Sequence, residues 1–456
     1  MTPTFNVIDH GAAADGKTKC TEAIARAVEA CSKAGGGRVL FPPGVYLTGP
    51  IQLASRLNLH VEEGAAVLFS RDFDDYPLVM THYEGVQRVR CMSPLYGREL
   101  HDVSITGAGV FDGQGEAWRP VKRFKTTPQQ WSELLASGGV VDEIGEVWWP
   151  TAAALAGREI VRRLEESGVP PRLEDYQPAR DFLRPCLLEL IQCTNVRLEG
   201  PVFRNSPAWN LHPVLCENIV IRNITALNPW YGQNTDGLDL DSCRTAWVRD
   251  SLFDVGDDAI CLKSGRDEQG RKLGRPCENI TIANCTVLRG HGGVTIGSEM
   301  SGGVRNVDVS NCIFRSTDIG LRFKSTRGRG GVVENIRISN VAMSDIRKDA
   351  ISLDMFYTES SPEPASERTP VFRGIAIRNA VCHSARRAIT IRGLPEMPIE
   401  EVAFENVRIS SENGISITDA RDISLVGVRV QVSKPPAIQC HNVTNLKMER
   451  CSGLGG

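Results

Sequence analysis

The sequence contains no long apolar run and no strong excess of charge of one sign. No stretch of its 456 residues approaches the roughly 20 consecutive apolar residues that a membrane-spanning helix needs. The 52 lysines and arginines nearly balance the 55 aspartates and glutamates, which leaves a net charge of -3. Proteins that bind nucleic acids or anionic membranes carry basic surfaces, so the composition predicts neither kind of partner.

The cysteines do not have the pattern of a zinc site or a disulfide scaffold. No pair of the 14 cysteines has the CxxC spacing that is typical of structural zinc sites. Spread over 456 residues, they are also too sparse for a small disulfide-stabilised domain. We therefore predict that most of them are buried free thiols, which pack as small hydrophobic side chains.

The N-terminal residues bear on where the protein works. The segment MTPTFNVIDHG lacks the basic segment followed by an apolar one that marks a signal peptide. We expect a cytoplasmic protein, or a secreted or periplasmic one if a leader was removed before residue 1.

A short pattern of alternating apolar residues returns from about residue 195 onward, at intervals of 21 to 39 residues. Its units are 195–198, 218–221, 245–248, 279–282, 306–309, 335–338, 374–377, 401–404, 422–425 and 445–448. Alternation with period two places the apolar side chains on one side of a short strand. Helical repeats need apolar positions three and four apart, and propeller blades need about 40–45 residues each. The pattern therefore predicts an all-β fold, a right-handed parallel β-helix with an asparagine ladder inside a bend.

Two segments depart from this repeat. A helix from roughly Thr21 to Lys33 is expected within an N-terminal cap of about residues 1–40, since a solenoid needs its open end covered. The repeat also stops over about 115–180, where residues 151–166 have the pattern of an amphipathic helix. Because the repeat resumes afterwards, we interpret 115–180 as an insertion and predict one domain over residues 1–456.

Four polar clusters follow four successive repeats. They are Asn234-Thr235-Asp236, Gly256-Asp257-Asp258, Gly290-His291-Gly292 and Arg322-Phe323-Lys324. Neighbouring strands of a sheet lie about 4.8 Å apart, so side chains in the same sector of successive turns form a column. Stacked carboxylates repel, so at least one of the three should have a raised pKa and hold a proton. A protonated acid near an ionised base is what glycoside hydrolysis requires, and the arginine suits an anionic sugar.

In this order, the four clusters resemble the signature sites of glycoside hydrolase family 28, the polygalacturonases and related pectin hydrolases. The beginning of the chain, from Phe5-Asn6-Val7 to Asp15-Gly16, also resembles that of pectin-active β-helix proteins. The resemblance covers nearly the whole chain. One position departs from the family, because Phe323 stands where an isoleucine is usual. This change should alter packing and not charge.

The resemblance implies a catalytic set. Asp257 would be the general acid that protonates the leaving oxygen, while Asp236 and Asp258 would activate the attacking water and cause inversion at the anomeric carbon. His291 would donate or accept a hydrogen bond at the acid and help to set its protonation.

The resemblance also implies a substrate-binding set and no cofactor or metal. Arg322 and Lys324 would bind uronate carboxylates on either side of the cleaved bond. Asn234 belongs to the first motif, and Tyr357 is a candidate for a ring that contacts sugar.

The expected reaction is inverting hydrolysis of α-1,4-galacturonosyl bonds in pectic polysaccharide or oligogalacturonides. Residues 263–266 and 290–303 resemble bacterial exo-acting members, which cut from the non-reducing end. An exo enzyme needs a groove that is closed at one end, and the 115–180 insertion is large enough to close it. The pair Trp148-Trp149 could form part of that wall.

Three alternatives stay open at the level of the sequence. A rhamnogalacturonan-directed hydrolase of the same family would use the same carboxylates with a different pocket. A β-helix polysaccharide lyase would instead need calcium and a basic residue that abstracts a proton. A non-catalytic carbohydrate-binding β-helix would have no need for three mutually repelling aspartates. The sequence does not indicate the oligomeric state.

Overall fold

The computed structural model describes residues 2–453, which fold mostly into β-strands. Each strand of the main sheets pairs in parallel with the strands one turn earlier and one turn later. Val196, for example, pairs with Ile219, which in turn pairs with Ala246. This is the stacking of a parallel β-helix, which the repeat predicts.

The strands form three parallel sheets. The first sheet contains Ile51–Gln52, Leu95–Arg98, Leu188–Ile191, Leu211–Val214, Leu238–Asp241, Ile260–Lys263, Thr317–Lys324 and Ile346–Asp354. The second contains Thr4–Asn6, Gly37–Phe41, Leu57–Val61, His101–Gly107, Thr194–Glu199, Glu217–Arg222, Arg244–Arg249, Cys277–Ala283 and Ile399–Glu405. The third contains Asp15–Lys19, Gly44–Thr48, Ala65–Phe69, Val110–Asp112, Val202–Arg204, Thr225–Leu227, Leu252–Asp254 and Arg429–Val432. Long strands that run from one sheet into the next are Thr286–Gly297, Val304–Arg315, Val332–Ser344, Val371–Arg392, Arg408–Val426 and Ile438–Glu449.

Side chains that point inward from the three sheets form one continuous hydrophobic core. It extends from Val7 to Val430. Phenylalanines stack along it, with ring centroids 6.5 Å apart between Phe69 and Phe111 and 5.4 Å apart between Phe111 and Phe203. The apolar side chains at every second position of each strand thus fill the interior.

The asparagine ladder exists, but its predicted place inside the bend is wrong. Asn335 donates to Asn306, which donates to Asn279, at 2.7 and 3.0 Å. Their backbone φ angles lie between 53° and 59°, a left-handed conformation that asparagine tolerates. Asn279 and Asn335 are exposed and Asn306 is half-buried, because the inward positions of each turn are taken by apolar residues.

Within the described residues, four α-helices accompany the sheets: α1 (Thr21–Lys33), α2 (Pro128–Ala136), α3 (Ala152–Glu166) and α4 (Asp267–Leu273). The predicted bounds of α1 are confirmed, and its apolar face, with Ala23, Ile24 and Ala27, joins the main core. Among the helices of residues 2–453, none combines the length and apolar character that crossing a membrane requires.

The predicted insertion leaves the solenoid between Val110–Asp112 and Leu188–Ile191. It contains α2, α3, the short strands Val121–Lys122, Val140–Val141 and Val147–Trp149, and the 3-10 helices Gly115–Ala117, Arg123–Lys125 and Leu173–Phe182. The three strands form a small antiparallel sheet of their own. The predicted helix over 151–166 corresponds to α3.

A β-hairpin that the sequence analysis did not anticipate covers part of the first sheet. It is formed by the antiparallel strands Leu78–Tyr83 and Val86–Cys91, and the 3-10 helix Phe73–Asp75 precedes it. The ring centroid of Tyr83 lies 4.5 Å from that of Trp209. At the tip, the amide of Arg266 donates to the carbonyl of Gly85 over 2.8 Å. We call this segment, residues 78–91, the hairpin.

The prediction for the cysteines is confirmed. All 14 are free thiols, and 12 of them are buried. Cys440 is exposed and Cys451 is half-buried.

Candidate active site

The four polar clusters lie on successive turns of the first sheet. Asp236 precedes the strand Leu238–Asp241, and Asp257 and Asp258 precede the strand Ile260–Lys263. In register, Leu238 pairs with Ile260, Ile260 with Val294 and Val294 with Leu321. The strand register therefore brings the clusters together, as their spacing predicts.

Asp258 lies at the centre of this group and is almost completely buried. Its two carboxylate oxygens accept hydrogen bonds from Lys324 Nζ at 2.7 Å and Arg322 Nη1 at 3.0 Å. Burial acts to raise the pKa of Asp258, but the charges of Lys324 and Arg322 outweigh it and hold the pKa far below its usual range. Asp258 is therefore an ionised carboxylate.

Asp257 pairs with the imidazole of His291. The distance from His291 Nδ1 to the Oδ1 atom of Asp257 is 2.9 Å. Burial acts to raise the pKa of Asp257, but the hydrogen bond and charge of His291 lower it overall. In the free protein, Asp257 thus favours its ionised form.

The expected raised pKa belongs to Asp236. Burial, followed by the negative charges of Asp257 and Asp239, raises the pKa of Asp236 well above its usual value. One of its oxygens, Oδ1, has no hydrogen-bond partner among the described residues. The site therefore contains one proton-holding carboxyl, that of Asp236, beside the ionised carboxylates of Asp257 and Asp258.

Arg322, Lys324 and Tyr357 form one wall of the site. Lys324 Nζ lies 4.9 Å and Arg322 Cζ 5.7 Å from the centroid of the Tyr357 ring. Burial alone would lower the pKa of both cations, but Asp258 raises both values, so they stay charged. The Tyr357 side chain is 43% exposed, which leaves it accessible to a ligand.

Asn234 faces away from the aspartates. Its Oδ1 accepts a hydrogen bond from Arg184 Nη2 at 2.9 Å. It lines a second cavity of about 310 Å³ beside the catalytic cleft, together with Tyr83 of the hairpin and Trp149 of the insertion. We call this space the side cavity. Trp148 lines a different cavity, so only one tryptophan of the pair lies here.

Sequence reasoning missed Lys125, which the insertion places in the cleft. The Nζ atom of Lys125 lies 3.2 Å from His291 Nε2 and 3.3 Å from the carbonyl oxygen of Gly256. The cleft has a volume of about 480 Å³, and Phe124 and Trp230 also line it. The insertion lacks the repeat that would give it a register with the sheets, so nothing in the sequence marked this lysine.

A buried charged group close to Asp236 was also missed. Lys263 Nζ lies 2.9 Å from the carboxylate of Glu299 and 3.6 Å from that of Asp239. Burial, partly offset by the charge of Lys263, raises the pKa of Asp239 to about 7. The signal available in the sequence was the pair of alternating polar residues Asp239 and Asp241, which take outward positions on one strand. Outward positions are buried only when another segment of the chain lies over them.

A small group of potential metal ligands also lies here. One oxygen each of Asp236 and Asp258 and the Cys261 Sγ atom lie within 4.8 Å of one another. Positive charge is already supplied to Asp258 by Arg322 and Lys324, so a metal-free site stays our prediction.

Comparison with known proteins identifies the family. The family described as glycosyl hydrolases family 28 matches residues 179–426, more than half of the chain and all four polar clusters. The chain belongs to this family. It is accordingly a glycoside hydrolase, and the resemblance that the motifs carry is confirmed. A second family, described as rhamnogalacturonase A/epimerase, pectate lyase-like, matches residues 4–61.

Individual relatives agree with the family match. A probable polygalacturonase from Vitis vinifera is 28% identical over 89% of this chain and 74% of its own length. An exo-poly-alpha-D-galacturonosidase from Dickeya chrysanthemi is 27% identical over 92% of this chain and 69% of its own length. A hyperthermoactive exopolygalacturonase from Thermotoga maritima, whose crystal structure is known, is 32% identical in sequence. The two structures match with a TM-score of 0.77 over 98% of this chain and 93% of that one.

Proposed function

We propose that this family 28 hydrolase cleaves α-1,4-galacturonosyl bonds in pectic polysaccharide or oligogalacturonides. The observation that carries the proposal is the cluster around Asp258, which combines this carboxylate, a proton-holding carboxyl at Asp236 and the cations Arg322 and Lys324. Asp257, His291 and Arg322 line the adjoining cleft. The carboxyls suit glycoside hydrolysis, and the cations suit a sugar acid. The names of the polygalacturonase relatives support the same substrate class.

In the proposed mechanism, Asp257 gives a proton to the glycosidic oxygen as its bond to the anomeric carbon breaks. A water held by Asp236 and Asp258 adds to the opposite face of that carbon and passes a proton to a carboxylate, so the configuration inverts. His291 orients Asp257 through its Nδ1 contact of 2.9 Å. An anionic sugar that displaces water beside Asp257 would raise the pKa of this carboxyl and favour the acid form that the step needs.

Arg322 and Lys324 would bind the uronate carboxylates on either side of the cleaved bond, with Tyr357 against the sugar. Both cations already contact Asp258, so a substrate carboxylate would share them with this aspartate. Asn234 would contribute through the side cavity that it lines.

We also propose exo action from the non-reducing end. The hairpin and the insertion line the side cavity together, next to the catalytic cleft. A groove that ends in such a wall admits a chain terminus and not the middle of a polymer. The relatives named as exo-acting enzymes support this proposal.

The finer features of the fold belong to the same proposal. We infer a single domain with a right-handed solenoid, since parallel crossovers are right-handed in about 98% of cases. Helix α1 would cover the N-terminal end of the core that it joins. Cytoplasmic trimming of imported oligomers and action outside the cell are both compatible with this function.

A product time course on de-esterified homogalacturonan tests the proposal. One short product from the first minutes is expected for exo action, whereas a ladder of oligomers would contradict it. Absorbance from an unsaturated uronide, or loss of activity with a chelator, would indicate a lyase. Cleavage of rhamnogalacturonan with no cleavage of homogalacturonan would replace the proposed substrate with that of the second candidate.

A further inference from the structure

The side cavity has an unusual balance of charge. Five cationic side chains and two acidic ones line it: Arg88, Arg90, Lys122, Arg158 and Arg184, with Glu84 and Glu165. Both glutamates are engaged by Arg88, at 3.3 and 3.4 Å. Among residues 2–453, no carboxylate lies within 4.0 Å of the side-chain nitrogens of the other four cations. The cavity therefore has an excess of positive charge.

Two of these cations are deeply buried. Arg90 is 7% exposed and Arg184 is 8% exposed. Arg184 donates to neutral acceptors, the carbonyl oxygens of Pro207 at 3.0 Å and Gln233 at 2.8 Å and the amide oxygen of Asn234. Arg90 donates to the carbonyl of Arg184, and its Nε has no partner in the described part of the chain.

Buried charges in proteins are normally paired, because removing an ion from water costs several kcal/mol that an opposite charge must offset. Hydrogen bonds to carbonyl groups satisfy the donors of Arg184 but supply no negative charge. An anionic ligand would supply it. Guanidinium groups favour carboxylates, which they can contact through two parallel hydrogen bonds.

The cavity adjoins the catalytic cleft. Lys122 and Gln233 line both spaces, and Asn234 lies two residues before Asp236. The hairpin and α3 supply Val89 and Val161 to its lining. A ligand chain that occupies the cleft would therefore reach this cavity.

We propose that the side cavity binds the carboxylate of the sugar at the non-reducing end, so that the enzyme recognises a terminal uronate and not only a chain end. This inference rests on the proposed function for the substrate class. It adds a second carboxylate-binding site, built from arginines of the hairpin and insertion, to the pair Arg322 and Lys324.

The test compares two trimers: trigalacturonate, and the same trimer with a methyl ester on the non-reducing terminal sugar. The wild type is expected to cleave the free acid with a kcat/KM roughly tenfold or more above that of the ester, since a charge-assisted contact is lost. In Arg158→Gln and Lys122→Gln this ratio should fall several-fold. Both side chains are outside the buried core, so these variants should fold. Arg163→Gln, on the same helix but paired with Glu159, should retain the wild-type ratio.

Two outcomes separate this inference from the proposed function. If the wild type cleaves both trimers equally, or both variants retain its ratio, the terminal-carboxylate site is wrong while the hydrolase proposal stands. If neither trimer is cleaved, the proposed substrate is wrong, and calorimetry with galacturonate and neutral methyl galactoside decides the inference. Binding of the acid alone that weakens in Arg158→Gln but not in Arg163→Gln would support it, and no difference between the two ligands would overturn it.

Discussion

Three neighbouring aspartates form one cluster, yet their partners give them different affinities for a proton. Asp258 faces two cations, Asp257 faces His291, and Asp236 faces other carboxylates. The chemical identity of the side chains is the same, so the difference comes entirely from the surroundings. Such divergence is what allows neighbouring carboxyls to act as acid and base.

Replacement of Asp257 tests its proposed role as the acid. Asp257→Asn is expected to lower kcat by about 10²–10⁴-fold, because the amide cannot give up a proton to the leaving oxygen. The amide oxygen can still accept from His291, so the thermal midpoint should change little. Kinetics on oligogalacturonate and thermal unfolding measure both effects.

The matched control is Asp308→Asn, the same chemical change at an exposed aspartate paired with Arg337. It should keep the wild-type kcat. A folded Asp257→Asn enzyme with wild-type turnover would remove Asp257 from the catalytic set.

The raised pKa of Asp239 predicts that the free energy of unfolding depends on pH. Its folded pKa of about 7 lies above the ordinary value of 3.8, so the folded state holds a proton that the unfolded state loses. This contribution to stability is present below pH 4 and is lost as the pH rises to about 7. Asp239→Asn does not ionise and should gain stability relative to the wild type across this range, by at most about 4 kcal/mol. Urea unfolding at pH 4 and pH 7 measures the gain, and an equal difference at both values would contradict it.

At the scale of elements, the proposed end wall depends on a close contact at the tip of the hairpin. A Cβ added at Gly85 would lie 2.7 Å from the Arg266 amide nitrogen and 2.8 Å from the Gly265 carbonyl carbon. Both are backbone atoms that cannot rotate away. Any side chain at this position must therefore move the hairpin tip.

Gly85→Ala is expected to loosen the hairpin and weaken the end wall. Longer oligomers should then appear among the early products, as chromatography of a homogalacturonan digest would show. Gly168→Ala is the matched control, since its φ of 67° is close to the 73° of Gly85 but a Cβ there meets no atom within 4 Å. Both variants pay about 1 kcal/mol for the left-handed backbone, so a product change shared by both would argue against the wall.

The elements that could be predicted are those that a local pattern of residues in the sequence specifies. Alternation over four residues identifies a strand, and a recurring spacing identifies the stacking, so the register that joins Asp236 to Arg322 could be inferred. The hairpin and Lys125 could not, because their positions depend on contacts with distant turns and no repeat fixes them. The side of the bend on which asparagines such as Asn306 lie also escaped prediction, since a left-handed backbone is compatible with either direction. The pairing of Asp258 with both Arg322 and Lys324 could not be predicted either, because it depends on the positions of the side chains.

At the scale of the whole molecule, the continuous core predicts cooperative unfolding. All seven tryptophans lie between residues 118 and 247, whereas Phe404 is buried in a distant C-terminal turn. If the chain is one domain, Phe404→Ala should destabilise it by about 3–5 kcal/mol and lower the tryptophan-fluorescence midpoint as much as the circular-dichroism midpoint. An unchanged fluorescence transition would indicate that the C-terminal turns unfold separately.

The exposed asparagine ladders join each turn only to the turns directly above and below it. A connecting loop can therefore lengthen or shorten at one level while the strands at every other level keep their pairing. Pairing of the strands next to the aspartates therefore does not depend on the length of the segments that surround the cleft. New substrate preferences could arise by exchanging segments such as the hairpin or the insertion, with the aspartates left in place.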